Sequence, residues 1–166
     1  MTRMFRDVEP ADAAAIVEIL GHEIAGGVAH FGSKPPPIAE VEAEIAVGLP
    51  WRVAAVDGRA VAFARATPWK PRDAYRWTVE LGIYVARGHQ RQGLGRTLVE
   101  QVLDQAVERG FRCFLAGITL PNPGSVALFE GLAFRSVGTF PAIGFKHGAW
   151  RDVGYWSRTV GEGSPC

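Results

Sequence analysis

Cysteine is scarce in this 166-residue chain: there are two, Cys113 and Cys166, the second in a Gly/Ser/Pro tail. Two cysteines cannot build the disulfide framework on which small secreted domains depend, so a reducing compartment is expected. An excess of charge is lacking as well. Lys and Arg number 18 against 17 Asp and Glu, a formal net charge of +1, which excludes a whole-surface field that gathers nucleic acid or anionic lipid. Any anionic ligand must therefore be held by a local pocket. No apolar run approaches the roughly 20 residues that cross a bilayer, and Met1-Thr2-Arg3-Met4-Phe5-Arg6-Asp7 lacks the apolar core of a signal peptide. These absences predict a soluble, cytoplasmic protein with neither a membrane nor a nucleic acid as partner.

What is present is ordinary globular usage, 48% hydrophobic and 21% charged, which excludes disorder and collagen-like repeats. The length fits one domain, expected over residues 1–160 with 161–166 as a flexible tail. A strand over 4–8 is followed by a helix with Ala13, Ile16, Val17, Ile19 and Leu20 at helical spacing, introduced by Pro10 and Asp12. Gly26-Gly27 and Pro35-Pro36-Pro37 bracket a loop holding His30 and Phe31. A second helix places Ile38, Val41, Ile45 and Leu49 on one side and is expected to stop at Pro50. Strands over 52–56 and 59–66 flank Asp57-Gly58, a pair that supplies the positive φ of a tight hairpin. After a basic, aromatic connection, 77–85 reads as a strand. Leu94, Leu98, Val102, Leu103, Ala106 and Val107 then line one face of a long helix that Gly110 closes. A buried strand over 111–118, a helix from Asn122 through Phe129 to Leu132, and an antiparallel pair over 134–137 and 150–158 complete the reading.

Between the strand ending at Val85 and the long helix lies Gln90-Arg91-Gln92-Gly93-Leu94-Gly95. A strand that runs through a glycine turn into a helix brings free amide N–H groups and the positive helix end together, an arrangement that suits phosphate or pyrophosphate. The spacing is not the three-glycine dinucleotide fingerprint. Nor is it a P-loop, which needs Lys-Ser or Lys-Thr after the last glycine. Taken alone, the turn equally suits a helix start that uses glycine only for its backbone freedom.

The turn resembles the acyl-CoA pyrophosphate loop of the GCN5-related N-acetyltransferase superfamily. Trp69-Lys70, Arg72, Ala74-Tyr75, Trp77-Thr78-Val79-Glu80, Tyr84-Val85, His89-Gln90-Arg91, Leu120-Pro121-Asn122, Gly144-Phe145-Lys146-His147-Gly148, Trp150 and Asp152-Val153-Gly154 are together similar to its phosphinothricin N-acetyltransferase branch. The resemblance implies an α/β fold. Its core would be a mixed, mostly antiparallel, seven-stranded twisted sheet flanked by helices and splayed between strands 4 and 5, with acetyl-CoA in the opening. Backbone amides of Gln90, Arg91, Gln92, Gly93, Leu94 and Gly95 would cradle the pyrophosphate. Tyr84 and Val85 would pair their main chain with the pantetheine arm, and Asn122 would serve either the cofactor or a helix cap. A homodimer and no metal are also implied.

Acetyl transfer to an amine requires a neutral nucleophile, an oxyanion site and a proton for the departing thiolate. A lysine-like amine titrates about three units above pH 7, so a positioned base has a clear task. Glu80 is the candidate: it shares an apolar strand with Val79, Leu81, Ile83 and Val85 but alternates to the other face with Gly82 and Tyr84. A solvated or salt-bridged strand carboxylate is the alternative reading. Gly82 is expected to permit a bulge that turns an amide toward the thioester carbonyl. Lys70, Arg72, Lys146 and His147, beside Trp69, Tyr75, Phe145 and Trp150, form the basic and aromatic segments that in the related enzymes receive an amino acid with an anionic carboxylate. Lys70, Arg72, Tyr75, Lys146 and His147 are accordingly the expected substrate residues.

One position departs from the family pattern. Seven residues after Asn122, where a tyrosine or histidine would protonate the coenzyme A sulfur, stands Phe129. Cys113 is expected in the core, since a nucleophilic thiol needs an activating partner and none is suitably spaced. The expected activity is acetylation of the α-amine of a small amino acid or analogue of the phosphinothricin, methionine sulfoximine or methionine sulfone type. Direct attack in a ternary complex is the implied route and detoxification the implied role. The alternatives are another amine, such as a polyamine or a protein N-terminus, and a non-catalytic acyl-CoA sensor.

Overall fold

The structure is a computed structural model and describes residues 2–161. Met1 and residues 162–166, which include Cys166 and most of the expected tail, lie outside the described residues. Seven strands form one sheet: β1 (Arg3–Asp7), β2 (Trp51–Val56), β3 (Arg59–Pro68), β4 (Thr78–Val85), β5 (Cys113–Leu120), β6 (Arg135–Lys146) and β7 (Ala149–Thr159). Four helices flank it: α1 (Ala13–Gly26), α2 (Ile38–Val47), α3 (Leu94–Glu108) and α4 (Pro123–Glu130). The strand order is β1-β2-β3-β4-β5-β7-β6, antiparallel except for β4 against β5. That one parallel pair follows from its connection, because a strand–helix–strand crossover through α3 returns the chain in the same direction.

The alternation read along β4 sorts the core into two clusters. Val79, Leu81, Ile83 and Val85 join Leu94, Leu98, Val102 and Phe114 beneath α3. Tyr84 turns the other way, onto Phe63, with α1 and α2 covering that face through Ile16, Leu20 and Val41. The Asp57-Gly58 hairpin is present, with φ of 48° and 85°. Cys113 is half-buried at the start of β5.

Three expectations are corrected. Helix α2 stops at Val47, because Gly48 at φ 78° takes the left-handed cap position before Pro50 is reached. Strand β6 is far longer than the four residues read from the sequence. Gly138, Pro141 and Gly144 look like strand breakers, but β6 is the last strand of the sheet, where proline costs little, and register shifts at Ser136/Gly138 and Phe140/Gly144 absorb the rest. The bulge expected at Gly82 is absent. The β3–β4 ladder runs in register through the Arg65–Gly82 pair.

The feature that matters for function is where β4 and β5 part. They pair only from Thr78 to Glu80 against Cys113 to Leu115, although both strands continue beyond. The main-chain groups of β4 that face β5 past Glu80 therefore have no strand partner. Buried backbone groups rarely stay unpaired, so this wedge calls for a ligand that hydrogen-bonds like an extra strand.

Candidate active site

Two adjoining cavities open at the split. The first, of about 310 Å³, is lined by Ile83, Tyr84, Val85, Arg87 and Gln90 from β4 and its turn, by His22 and Glu23 of α1, and by Asn122 and Ser125 at the start of α4. The turn into α3 is wound by Gly88 (φ 82°), Arg91 (φ 58°) and Gly93 (φ 78°). Gly93 is the N-cap of α3 and brings no side chain to the cap, which leaves the first-turn amides to a ligand. A Cβ at Gly93 would meet nothing within 4 Å, so alanine there suffers only the left-handed backbone penalty, roughly 1–2 kcal/mol. Relaxing that strain rotates the amides off their common focus. The expected result for Gly93→Ala is a KM for acetyl-CoA raised about tenfold, equivalent to about 1.4 kcal/mol, with kcat little changed, in initial-rate kinetics.

The second cavity, of about 490 Å³, lies where Glu80 points. Its walls are Phe31, Trp69, Lys70, Glu80, Gly117, Thr119, Phe140, Ile143, Val153 and Tyr155, and Ala29 lines both cavities. Tyr155 packs edge-on to Trp69 at 5.5 Å and to Phe140 at 6.0 Å, and the Lys70 Nζ sits 5.3 Å above the Trp69 ring. This is an aromatic box with one acid and one base on its wall. Burial pushes the Glu80 carboxyl above the ordinary carboxylate range, while the Gly117 N–H, donating to it, partly offsets the shift. Burial and the neighbouring Glu80 charge push the Tyr155 phenol up as well, so it stays protonated. A carboxylate with a raised pKa inside a cleft suits a general base that works near neutrality.

Comparison with known proteins agrees with this fold. The model of the acetyltransferase (GNAT) family matches residues 24–134. The chain belongs to that family. It is 42% identical over 157 residues to a phosphinothricin N-acetyltransferase of Streptomyces viridochromogenes, covering 92% of this chain and 85% of the relative. It is 32% identical to an L-methionine sulfoximine/L-methionine sulfone acetyltransferase of Salmonella typhimurium, covering 98% and 96%. Among solved structures, a GNAT superfamily phosphinothricin acetyltransferase of Sinorhizobium meliloti in complex with acetyl-CoA superposes with a TM-score of 0.92 at 34% identity, covering 99% and 91%.

With GNAT membership established, each residue expected from the sequence has a location. Tyr84, Val85, Gln90 and Asn122 line the first cavity, and Glu80 and Lys70 the second. Arg91 sits exposed in the turn, Leu94 is buried in the core beneath α3, and Gly95 lies against Ile83 and Leu128. The Gln92 side chain is engaged elsewhere: its Oε1 accepts from Arg3 at 2.6 Å and its Nε2 donates to the Gly88 carbonyl at 3.1 Å. Of the two roles open to Asn122, the helix cap is the one formed. It caps α4, with Oδ1 accepting from the Ser125 N–H at 3.1 Å, and it lines the first cavity.

Arg72 and Tyr75 do not line the Glu80 cavity in this chain; with Lys70 they line a separate hollow beside Leu49 and Phe111. Lys146 and His147 do not line it either. Their side chains bind the carbonyls of His30 and Gly27. Phe145 and Trp150 pack on each other at 5.3 Å, largely exposed. Phe129 is 3% exposed and edge-on to Phe134 at 5.1 Å, so it belongs to the core. Sequence reasoning missed Gly117, Thr119, Tyr155 and Phe140. The signal for the first two was their shared parity on β5, which no motif marks.

Among the described residues no three His, Cys, Asp or Glu gather into a metal site, and no helix is long and apolar enough to cross a membrane.

Proposed function

We propose that this GNAT protein transfers the acetyl group of acetyl-CoA to the α-amine of a small amino acid or analogue, with phosphinothricin, methionine sulfoximine and methionine sulfone as the substrate class. The single observation that carries the reading is that Glu80 faces an amino-acid-sized cavity adjoining the cavity at the β4–β5 split. The relatives' names point to the same acceptors. In this reading the amides of residues 90–95 and the α3 N-terminus hold the pyrophosphate, and the unpaired edge of β4 holds the pantetheine arm. Lys70 attracts the acceptor's anionic group, and the aromatic walls take its side chain.

Glu80 accepts a proton from the acceptor ammonium, whose electron pair then forms the new C–N bond at the thioester carbonyl carbon. As the tetrahedral intermediate collapses, the C–S bond breaks with its pair on sulfur and the nitrogen gives up its second proton to solvent. Phe129, buried and with no ionisable proton, supplies nothing to that thiolate, so the proton comes from water or from another group of the site. Adjacent cavities favour direct attack over a covalent enzyme intermediate, and Cys113 lines neither of them. Detoxification in the cytoplasm is the biological role we assign.

A homodimer is part of this reading. Strand β6 ends the sheet with Val137, Phe140, Ile143 and Phe145 exposed, and Trp150 beside them on β7. A long edge strand carrying that much apolar surface is normally covered by a partner. A second copy suits it because Phe140 and Ile143 also wall the acceptor cavity.

The test is release of free coenzyme A thiol from acetyl-CoA, with phosphinothricin, methionine sulfoximine, methionine sulfone, spermidine and a small peptide offered separately. Rapid release with one of the first three is the expected result. Release with spermidine or the peptide alone overturns the substrate class, and acetyl-CoA binding with no turnover on any acceptor overturns the enzyme reading in favour of a sensor.

A further inference from the structure

The loop between α1 and α2 forms one wall of the acceptor cavity through Ala29 and Phe31. It is a Gly/Pro-bracketed segment of eleven residues with no helix or strand of its own, and such a loop holds its side chains in place only if something ties it. The ties come from the far end of the sheet. Lys146, the last residue of β6, is 8% exposed and donates from Nζ to the His30 carbonyl. His147 in the β6–β7 turn meets the Gly27 carbonyl through Nε2 at 2.9 Å. Next to these anchors the Phe31 ring lies against Gly144 of β6, so closely that a Cβ at Gly144 would overlap it. Within the loop, the Gly32 N–H donates to His30 Nδ1 and the Ala29 N–H to Glu23 Oε1, each at 2.9 Å.

We propose that Lys146 and Gly144 are positioning and specificity-determining residues. The β6–β7 hairpin end straps the 27–32 loop, and the strap sets where Phe31 stands and hence which acceptor side chains fit. The proposal rests on the amino-acid acceptor reading above but assigns Lys146 differently from a carboxylate receiver: its ammonium is spent on a backbone carbonyl outside the cavity wall. A buried lysine whose charge meets a carbonyl is costly unless that bond is kept, which makes the strap a defined contact and not a chance one. Gly144 complements it, because only the absence of a side chain lets the ring seat against the strand.

The experiment is a double-mutant cycle between Lys146→Met and Phe31→Ala, read as acceptor KM and kcat, together with hydrogen exchange of the 27–32 amides. Lys146→Met is expected to raise acceptor KM about tenfold with kcat at saturation little changed. It is also expected to speed exchange at 27–32 about tenfold, to have no further effect on KM once Phe31 is alanine, and to be rescued by Lys146→Arg. An equal KM rise with and without Phe31 overturns the proposal, since Lys146 then acts on the acceptor directly. Unchanged KM and unchanged exchange overturn it too. If Lys146→Met fails to fold, Gly144→Ala replaces it. It keeps both hydrogen bonds and displaces only the ring, so it must raise acceptor KM in the Phe31 background alone. Should no amino acid be acetylated at all, the acceptor reading fails by itself, and the exchange measurement still decides whether the strap exists.

Discussion

Replacing Glu80 with Gln is expected to lower kcat by about 10²–10⁴-fold, the usual scale of a lost general base, while the KM for acetyl-CoA stays as it is. The amide is nearly isosteric and its oxygen can still accept from the Gly117 N–H, so the cavity keeps its shape and loses only a proton acceptor. The pH dependence follows from burial, which raises the Glu80 pKa above the ordinary carboxylate value. Turnover by the parent protein must climb as pH rises through that raised pKa, and in the Gln variant this acidic limb disappears. Stability moves in the opposite direction. A group whose pKa is raised on folding contributes stability in full below its unfolded pKa and loses that contribution as pH rises through the folded value. Near pH 8 the ionised, partly buried Glu80 is therefore a burden. Glu80→Gln is expected to raise Tm at pH 8 by about 2 °C and to show a smaller difference near pH 4. Calorimetry at the two pH values checks this, and a Tm gain equal at both would remove ionisation as its cause.

Gly117→Ala is expected to lower kcat by about 10–100-fold without touching the glutamate itself. On β5 this glycine lies across the sheet split from Glu80. A Cβ there would stand 2.7 Å from Glu80 Oε1 and 3.1 Å from Tyr155 Cε1. The first contact is too short to keep, so the carboxylate at the end of the flexible Glu80 side chain swings away and its hydrogen bond to the Gly117 N–H is distorted. The backbone at Gly117 is ordinary extended strand, where alanine is preferred by roughly 0.5–1 kcal/mol, and this offsets part of the overpacking cost of about 1–3 kcal/mol. The variant thus folds, and its defect is in turnover. Gly138→Ala on β6, where nothing lies within 4 Å of an added Cβ, is the matched control and should leave turnover unchanged. Comparable losses in both variants would show that the Glu80–Gly117 contact does not govern the rate.

Local chemistry made much of this protein legible from sequence. The hairpin at Asp57-Gly58, the turn at Gly88 to Gly93 and the stop at Gly110 were readable because each needs a positive φ that few residues adopt. The two faces of β4 were readable because side chains alternate along any strand, and that alternation alone set Glu80 apart from Val79, Leu81, Ile83 and Val85. Helix periodicity likewise identified the α3 face that meets the sheet, except that Val107, read as part of it, is exposed.

Strand β6 was hidden because its glycines and proline are penalised only where a ladder must continue on both sides, and an edge strand has one. Gly117, Thr119 and Tyr155 were hidden because they join the Glu80 cavity from β5 and β7, more than 35 residues along the chain, and adjacency across a sheet leaves no local pattern. Lys146 and His147 show the same limit in reverse. Their charges were plain in the sequence, but which carbonyls would receive them depended on bringing the β6–β7 turn against the α1–α2 loop. Sequence alone thus determined most of the elements, the glycine turn that leads into α3 and the face of β4 on which Glu80 stands, because those follow from backbone freedom and periodicity. Only the tertiary structure decided the walls of the cavity that Glu80 faces and which basic groups stand on them, because those follow from contacts between segments that meet solely when the sheet is assembled.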